Sequence, residues 1–197
     1  MQVEFFSYDV VTSTNDIAFQ KLRDAVDVVD KLFVVTAEHQ TKGRGRNNKE
    51  WHGDSAQNLY YSCSLRHIIS EQPMSSIQII GGLACYNLIF ELLGSERVRL
   101  KYPNDVYVLF SDTNGNLIPK KLSGIIAEHH FSGGESCDSI LGIGINNKQE
   151  VFPNEISDLA TSLSLNGVLI ETEELKFRLT DHIVRLLESD YDSVFQN

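Results

Sequence analysis

Residues 105–130 read DVYVLFSDTNGNLIPKKLSGIIAEHH, and the architecture turns on this stretch. An apolar run, DVYVLF, ends at residue 110. Asn114-Gly115 follows, a pair that tolerates positive φ and so suits a tight hairpin. The chain then returns antiparallel through 118–130. Just upstream, Pro103 cannot donate to a ladder, so RVRLK (97–101) and DVYVLF read as two strands broken at the proline. Further out, NLYYSCSLR (58–66) alternates, with Leu59, Tyr61, Cys63 and Leu65 on one face and Tyr60, Ser62, Ser64 and Arg66 on the other. That is the period of a half-buried strand. LFVVTA (32–37) and SILGIGIN (139–146) read as buried strands, and VEFF (3–6) as a short one.

Three segments read as helices. Ser13-Thr14-Asn15-Asp16 offers N-cap candidates before IAFQKLRDA. Ser75 to Leu93 is long and apolar, with Gly81-Gly82 inside it. Each glycine costs a helix about 1 kcal/mol unless close packing compensates, so the helix is expected to lie tight on a sheet there. From Thr172, Leu175, Leu179, Ile183, Leu186 and Leu187 recur at helical spacing, with Glu173 and Glu174 in the first turn. The order implies an α+β fold, with a mixed, mostly antiparallel sheet and helices packed on one face. A length of 197 residues without linker or repeat fits one domain, residues 1–197.

Composition narrows the partners. Lysine and arginine total 17 against 27 acidic residues, a net charge of -10. Such a surface does not attract DNA, RNA or an anionic membrane without a local basic patch. Cys63, Cys85 and Cys137 are widely spaced and odd in number, which suggests reduced thiols in a cytoplasmic protein. MQVEFFSYD lacks a secretory pattern, and no unbroken run of about 18 apolar residues suggests a span. His129 and His130 are adjacent on a strand, face opposite ways and read as ordinary histidines.

The chemistry concentrates in three clusters. TAEHQTKGRGRNNKEW (36–51) alternates Gly43-Arg44-Gly45-Arg46 directly after an apolar strand and ends at the single tryptophan, Trp51. Glycine lets backbone N–H groups approach an anion, and arginine supplies a planar fork for carboxylate or phosphate. No P-loop or dinucleotide fingerprint is present. KYPND (101–105) breaks between strands and frees Asn104 and Asp105 to face a ligand. KKLSG (120–124) lies on the returning arm of the hairpin, which brings Lys121 beside Asp105. Each cluster alone also reads blandly, as a solvated loop, a turn and two surface lysines.

Taken in order, STN, AEHQTKGRGR, NLYYS, KYPND, KKLSGIIAE and LGIGIN resemble the catalytic domain of biotin protein ligases over residues 8–147. The resemblance implies a class II aminoacyl-tRNA synthetase-like fold and a two-step reaction. Biotin is activated by ATP with Mg2+ to biotinyl-5′-AMP, then transferred to a lysine of a biotin carboxyl carrier protein. It further implies that Arg44, Arg46 and Lys121 hold the carboxylate and phosphate, and that Asp105 orients or deprotonates the incoming lysine. Ser13, Thr14, Asn15 and Gln40 would hydrogen-bond the ureido ring, with Gly43 at the loop's start. Gly124 and Ile125 would line the slot for the rest of biotin, Trp51 would close over it, and Asn104 and Asn146 would face the nucleotide. It leaves the magnesium ligands unassigned and a homodimer open.

Asn47-Asn48 depart from the arginine and glycine usual in that loop, which puts a further phosphate contact in question. Many members carry an N-terminal helix-turn-helix domain and an SH3-like C-terminal domain. Neither is expected here, because the motifs begin near residue 8 and a helix occupies the end. Two other readings remain: a lipoate or octanoate ligase or transferase of the same superfamily, and a nucleic-acid-binding module using the Arg/Gly loop.

Overall fold

The hairpin at Asn114-Gly115 joins strands β5 (Asp105–Ser111) and β6 (Leu117–Gly133), paired antiparallel in a computed structural model that describes residues 1–45, 51, 57–68, 73–94 and 96–189. Gly115 takes φ +82, a left-handed conformation that favours glycine. The other strands are β1 (Gln2–Val11), β2 (Lys31–Gln40), β3 (Leu59–Ile68), β4 (Val98–Lys101) and β7 (Ser136–Ile145). The helices are α1 (Thr14–Asp24), α2 (Met74–Leu93) and α3 (Thr172–Glu188). The seven strands run in the order β1-β2-β3-β7-β6-β5-β4. β1 and β2 are parallel and every other pair is antiparallel. Parallel neighbours need a crossover, and α1 supplies it.

The sheet has a thick face and a thin one. On the thick face Val34, Tyr61, Cys63, Ile125, Leu141 and Ile143 meet Ile77, Ala84 and Leu88 of α2 and Leu175, Leu179 and Ile183 of α3. The buried Tyr61 hydroxyl lies 3.1 Å from Thr180 Oγ1, which ties α3 to β3. The glycines of α2 explain how close the helix comes. A Cβ on Gly81 would sit 2.7 Å from a Leu141 methyl, and one on Gly82 would sit 2.8 Å from the Pro103 carbonyl oxygen.

The mixed, mostly antiparallel sheet matches the expectation, but the helices do not all share one face. Ala18 and Leu22 of α1 pack with Phe33, Val35 and Ile140 on the opposite side. Alternation along β2 requires this, because Leu32 and Val34 face α2 while Phe33 and Val35 face α1. Although no unbroken apolar run stood out, the 20-residue helix α2 has a mean hydropathy of 1.5 and is long and apolar enough to cross a membrane on those grounds alone. Here it is the central core helix, with Ile77, Ile80, Cys85 and Ile89 buried.

The histidine pair does face opposite ways. His130 stacks on Phe19 of α1 at 4.0 Å, whereas His129 stands opposite its register partner Ser139 of β7. All three cysteines are free and buried, and burial pushes the Cys63 and Cys85 thiols up to about 12.

Candidate active site

Lys121 and Asp105 meet because of a bulge. The β5–β6 register shifts at Val106/Tyr107, so Val106 faces Ser123 while Tyr107 faces Lys121. Leu122 packs in the thick-face core and Ser123 points at Cys85 Sγ, so two successive residues turn the same way. Lys121 and Gly124 are thereby left together on the thin face. Lys121 Nζ lies 2.5 Å from Asp105 Oδ1, with side-chain exposures of 33 % and 15 %. Tyr107 stands opposite the lysine, and burial, then the charge of Asp105, raises its phenol above the usual range.

Beside this ion pair the floor is glycine. Gly124 of β6 and Gly144 of β7 are register partners, and Gly142 follows on the same face of β7. Their missing side chains leave room that other groups occupy. A Cβ on Gly144 would lie 2.4 Å from the Trp51 indole, and one on Gly124 would lie 2.5 Å from the same ring. Trp51 therefore lies on the glycine floor, with Lys121 Nζ 5.3 Å from its ring centroid. The Trp51 Nε1–H is buried and has no partner among the described residues. The Trp51 backbone N–H donates to the Gly43 carbonyl at 3.1 Å, which closes the Arg/Gly loop at its base.

Gly142 leads to a polar cluster. A Cβ there would fall 2.3 Å from Asn15 Oδ1, so only glycine admits the Asn15 side chain. Ser13, Thr14 and Asn15 are buried at the start of α1. The Thr14 backbone N–H and hydroxyl both donate to Gln40 Oε1, at 2.8 and 3.0 Å. Ser62 Oγ lies 2.7 Å from Thr14 Oγ1 and 2.6 Å from Asn15 Oδ1. The site thus runs from hydroxyls and amides, across bare backbone, to an amine paired with a carboxylate.

The structure brings together Thr14, Asn15 and Gln40 at one end and Trp51, Asp105, Lys121 and Gly124 at the other, with Gly43 between Gln40 and Trp51. Ser13 caps α1 through its backbone, with no side-chain cap bond. The Asn104 carbonyl accepts from Ile125 N–H at 2.7 Å, which fixes the break beside Asp105. Asn146 is buried and its amide donates to the Thr161 carbonyl, while Oδ1 has no partner among the described residues.

Two expectations need correcting. Ile125 points into the thick-face core against α2, because it neighbours Gly124 on a strand and so faces the other way. The Arg44 side chain does not reach into the slot. Its Nη2 donates to Asp16 at 2.7 Å, and its Nε and Nη2 donate to the two Glu128 oxygens at 3.2 Å each. The bond to Asp16, opposed by burial and joined by Glu128, drives the guanidinium well above its ordinary range. Arg46 and Asn47-Asn48 lie outside the described residues. Sequence reading missed Ser62, Gly142 and Gly144 as site residues. The alternation that set Ser62 on the face away from the apolar residues was the available signal.

The family profile described as Biotin/lipoate A/B protein ligase family matches residues 7–146, more than half of the chain. The bifunctional ligase/repressor BirA of Bacillus subtilis is 33 % identical over 159 residues, covering 80 % of this chain and 45 % of that protein. The biotin--[acetyl-CoA-carboxylase] ligase of Mycobacterium tuberculosis is 30 % identical over 187 residues, covering 92 % and 62 %. The chain thus spans about half the length of the curated relatives it matches. Among solved structures, the biotin protein ligase from Aquifex aeolicus in complex with biotin and ATP aligns over 95 % of this chain and 70 % of that one, with a TM-score of 0.66 and 27 % identity.

Proposed function

This chain belongs to the biotin/lipoate A/B protein ligase family, and on that footing we propose that it activates biotin with ATP and transfers it to a lysine of a biotin carboxyl carrier domain. The single observation that carries this reading is the glycine floor of Gly124, Gly142 and Gly144, with a polar cluster at one end and the Lys121–Asp105 pair at the other. A small acid with a polar head and a carboxylate tail matches that polarity. The ureido ring of biotin has one carbonyl and two N–H groups. Thr14, Asn15, Gln40 and Ser62 offer both donors and acceptors to meet them, and an unmet buried group costs about 1–3 kcal/mol.

In the first half-reaction a biotin carboxylate oxygen attacks the α-phosphorus of ATP. The bond to the departing pyrophosphate breaks, leaving biotinyl-5′-AMP. Two anions must meet, so fixed cations decide the rate. Lys121 is the described cation next to the slot, and Arg46 of the loop is the second that the family pattern supplies. Arg44, held by Asp16 and Glu128, anchors the loop to α1 and β6. Trp51 now rests where the ligand would lie, so it lifts and then covers the bound molecule. Asn104 and Asn146 are the family's nucleotide contacts on this reading, and Asn146 has a buried acceptor without a partner among the described residues.

In the second half-reaction a carrier lysine amine attacks the acyl carbon and AMP leaves. Asp105, released from Lys121 as that amine turns to phosphate, accepts or steers the attacking proton. Magnesium fits as the companion of ATP. Among the described residues the only group of three metal-ligating side chains lies elsewhere, and Mg2+ is commonly held by substrate phosphates and waters. It would neutralise phosphate charge. Three free thiols fit a reducing, cytoplasmic setting.

The test is a streptavidin blot of a carrier domain after incubation with the chain, biotin and MgATP. Labelling of the carrier, lost when ATP is omitted, supports the reading. An unlabelled carrier together with tight binding of lipoate in place of biotin would move the chain to the lipoate branch.

A further inference from the structure

On the thick face, further along β6 from Lys121, four side chains from three strands converge. Register dictates it. His67 of β3 pairs with Cys137 of β7, His129 of β6 pairs with Ser139 of β7, and Cys137 and Ser139 are alternate residues on one strand. All four therefore share a face. His67 Nε2 and His129 Nδ1 each lie 2.7 Å from Ser139 Oγ, and Cys137 Sγ lies 3.8 Å from it. One ligand atom from each of His67, His129 and Cys137 falls within 4.8 Å of the others. Cys137 and Ser139 are fully buried, His67 is 9 % exposed and His129 is half-buried.

The proposed ligation uses none of these groups, since they lie across the sheet from the glycine floor. We propose that His67, His129 and Cys137 bind a zinc-class divalent transition-metal ion, which clips β3, β7 and β6 together. The donor set argues for the class of ion. Two imidazoles and a sulfur, with no carboxylate in the group, disfavour calcium and magnesium and suit zinc or cobalt.

The geometry is within reach. Zinc bonds of about 2.0 Å to nitrogen and 2.3 Å to sulfur set tetrahedral ligand atoms roughly 3.5 Å apart. With ligand atoms up to 4.8 Å apart, the group needs to contract by roughly 1.3 Å at its widest, which side-chain rotation achieves. Ser139 Oγ already stands between the imidazoles, and its hydroxyl, or a water entering past His129, completes four ligands. The sulfur ligates as a thiolate, so the thiol proton leaves when the metal binds. Two adjacent histidines in the sequence hid this arrangement. The partner of His129 is His67, on a strand far away in the chain, and not His130.

The experiment is a cobalt titration of the untagged full chain after chelator treatment. One equivalent should produce the visible bands of tetrahedral Co2+ and a near-ultraviolet thiolate-to-cobalt charge-transfer band, and zinc should abolish both. Cys137→Ser should remove the charge-transfer band, and His129→Ala should weaken binding by roughly tenfold or more. Should Cys137→Ser fail to fold, His129→Ala at the half-buried position reads the same site. An absence of tetrahedral bands in the unmodified chain overturns the proposal. So does a spectrum that Cys137→Ser, folded by circular dichroism, leaves unchanged.

Discussion

On the proposed reading, Lys121, paired with Asp105 beside the glycine floor, is the cation that brings a carboxylate and a phosphate together. Replacing it with alanine removes a fixed cation that acts where charge develops, an effect of roughly 10²–10³-fold in rate. Biotin-dependent exchange of pyrophosphate into ATP should fall by that factor. Asp105→Ala should spare this exchange and slow transfer to the carrier, which separate assays of the two half-reactions resolve. The glycines give a sharper contrast. Gly142→Ala drives a methyl into Asn15, which is buried and bonded to Ser62, so both biotin affinity and thermal stability should fall. Gly144→Ala meets the Trp51 indole, a loop side chain able to shift, so ligand affinity should fall while the melting temperature holds. Lys121 and Asp105 were legible because the hairpin and the proline break place them side by side. Ile125 was misplaced because an apolar residue beside a ligand motif was read as lining it, although neighbours on a strand face apart. Arg44 was legible as a loop cation but not in its partners, since Asp16 and Glu128 are distant in sequence.

At the scale of elements, α2 sets intrinsic propensity against packing. Alanine for glycine in a helix gains about 1 kcal/mol, whereas overfilling a packed contact costs about 1–3 kcal/mol. At Gly82 the obstacle is the Pro103 carbonyl, backbone that cannot rotate away. Gly82→Ala should therefore destabilise, seen as a lower urea midpoint. The β5–β6 turn carries its own pH dependence. The Asn116 side chain, then backbone N–H groups of 114–116, hold the exposed Asp112 carboxyl below its ordinary 3.8. A carboxylate with a lowered folded pKa stabilises above its unfolded value and loses that contribution as pH falls through the folded one. The stability difference between the wild type and Asp112→Asn should therefore shrink as pH drops below about 3.8. Helix positions and the hairpin were readable from period and turn chemistry. The face chosen by α1 was not, because an amphipathic helix fits either side of a sheet, and the parallel β1–β2 pairing that decides it is non-local. β1 also runs longer than VEFF suggested, since an edge strand with half-exposed residues lacks an apolar run.

At the scale of the molecule, the sheet separates two tasks. The thick face supplies the core through α2 and α3, and the thin face, covered in part by α1, carries the glycine floor on which Trp51 rests. The family was legible because its six motifs lie on strands, strand ends and loops that the sheet order gathers, although they span more than a hundred residues. The metal-ligand group on the thick face was not legible, because its members come together only through the order β3-β7-β6. The most direct measurement of the central claim is mass spectrometry of the chain after incubation with biotin and MgATP and passage through a desalting column. Biotinyl-5′-AMP retained at one molecule per chain, with pyrophosphate released in equal amount, is the predicted result. Intact ATP and no adenylate, from a chain that is folded and supplied with saturating biotin, would contradict it.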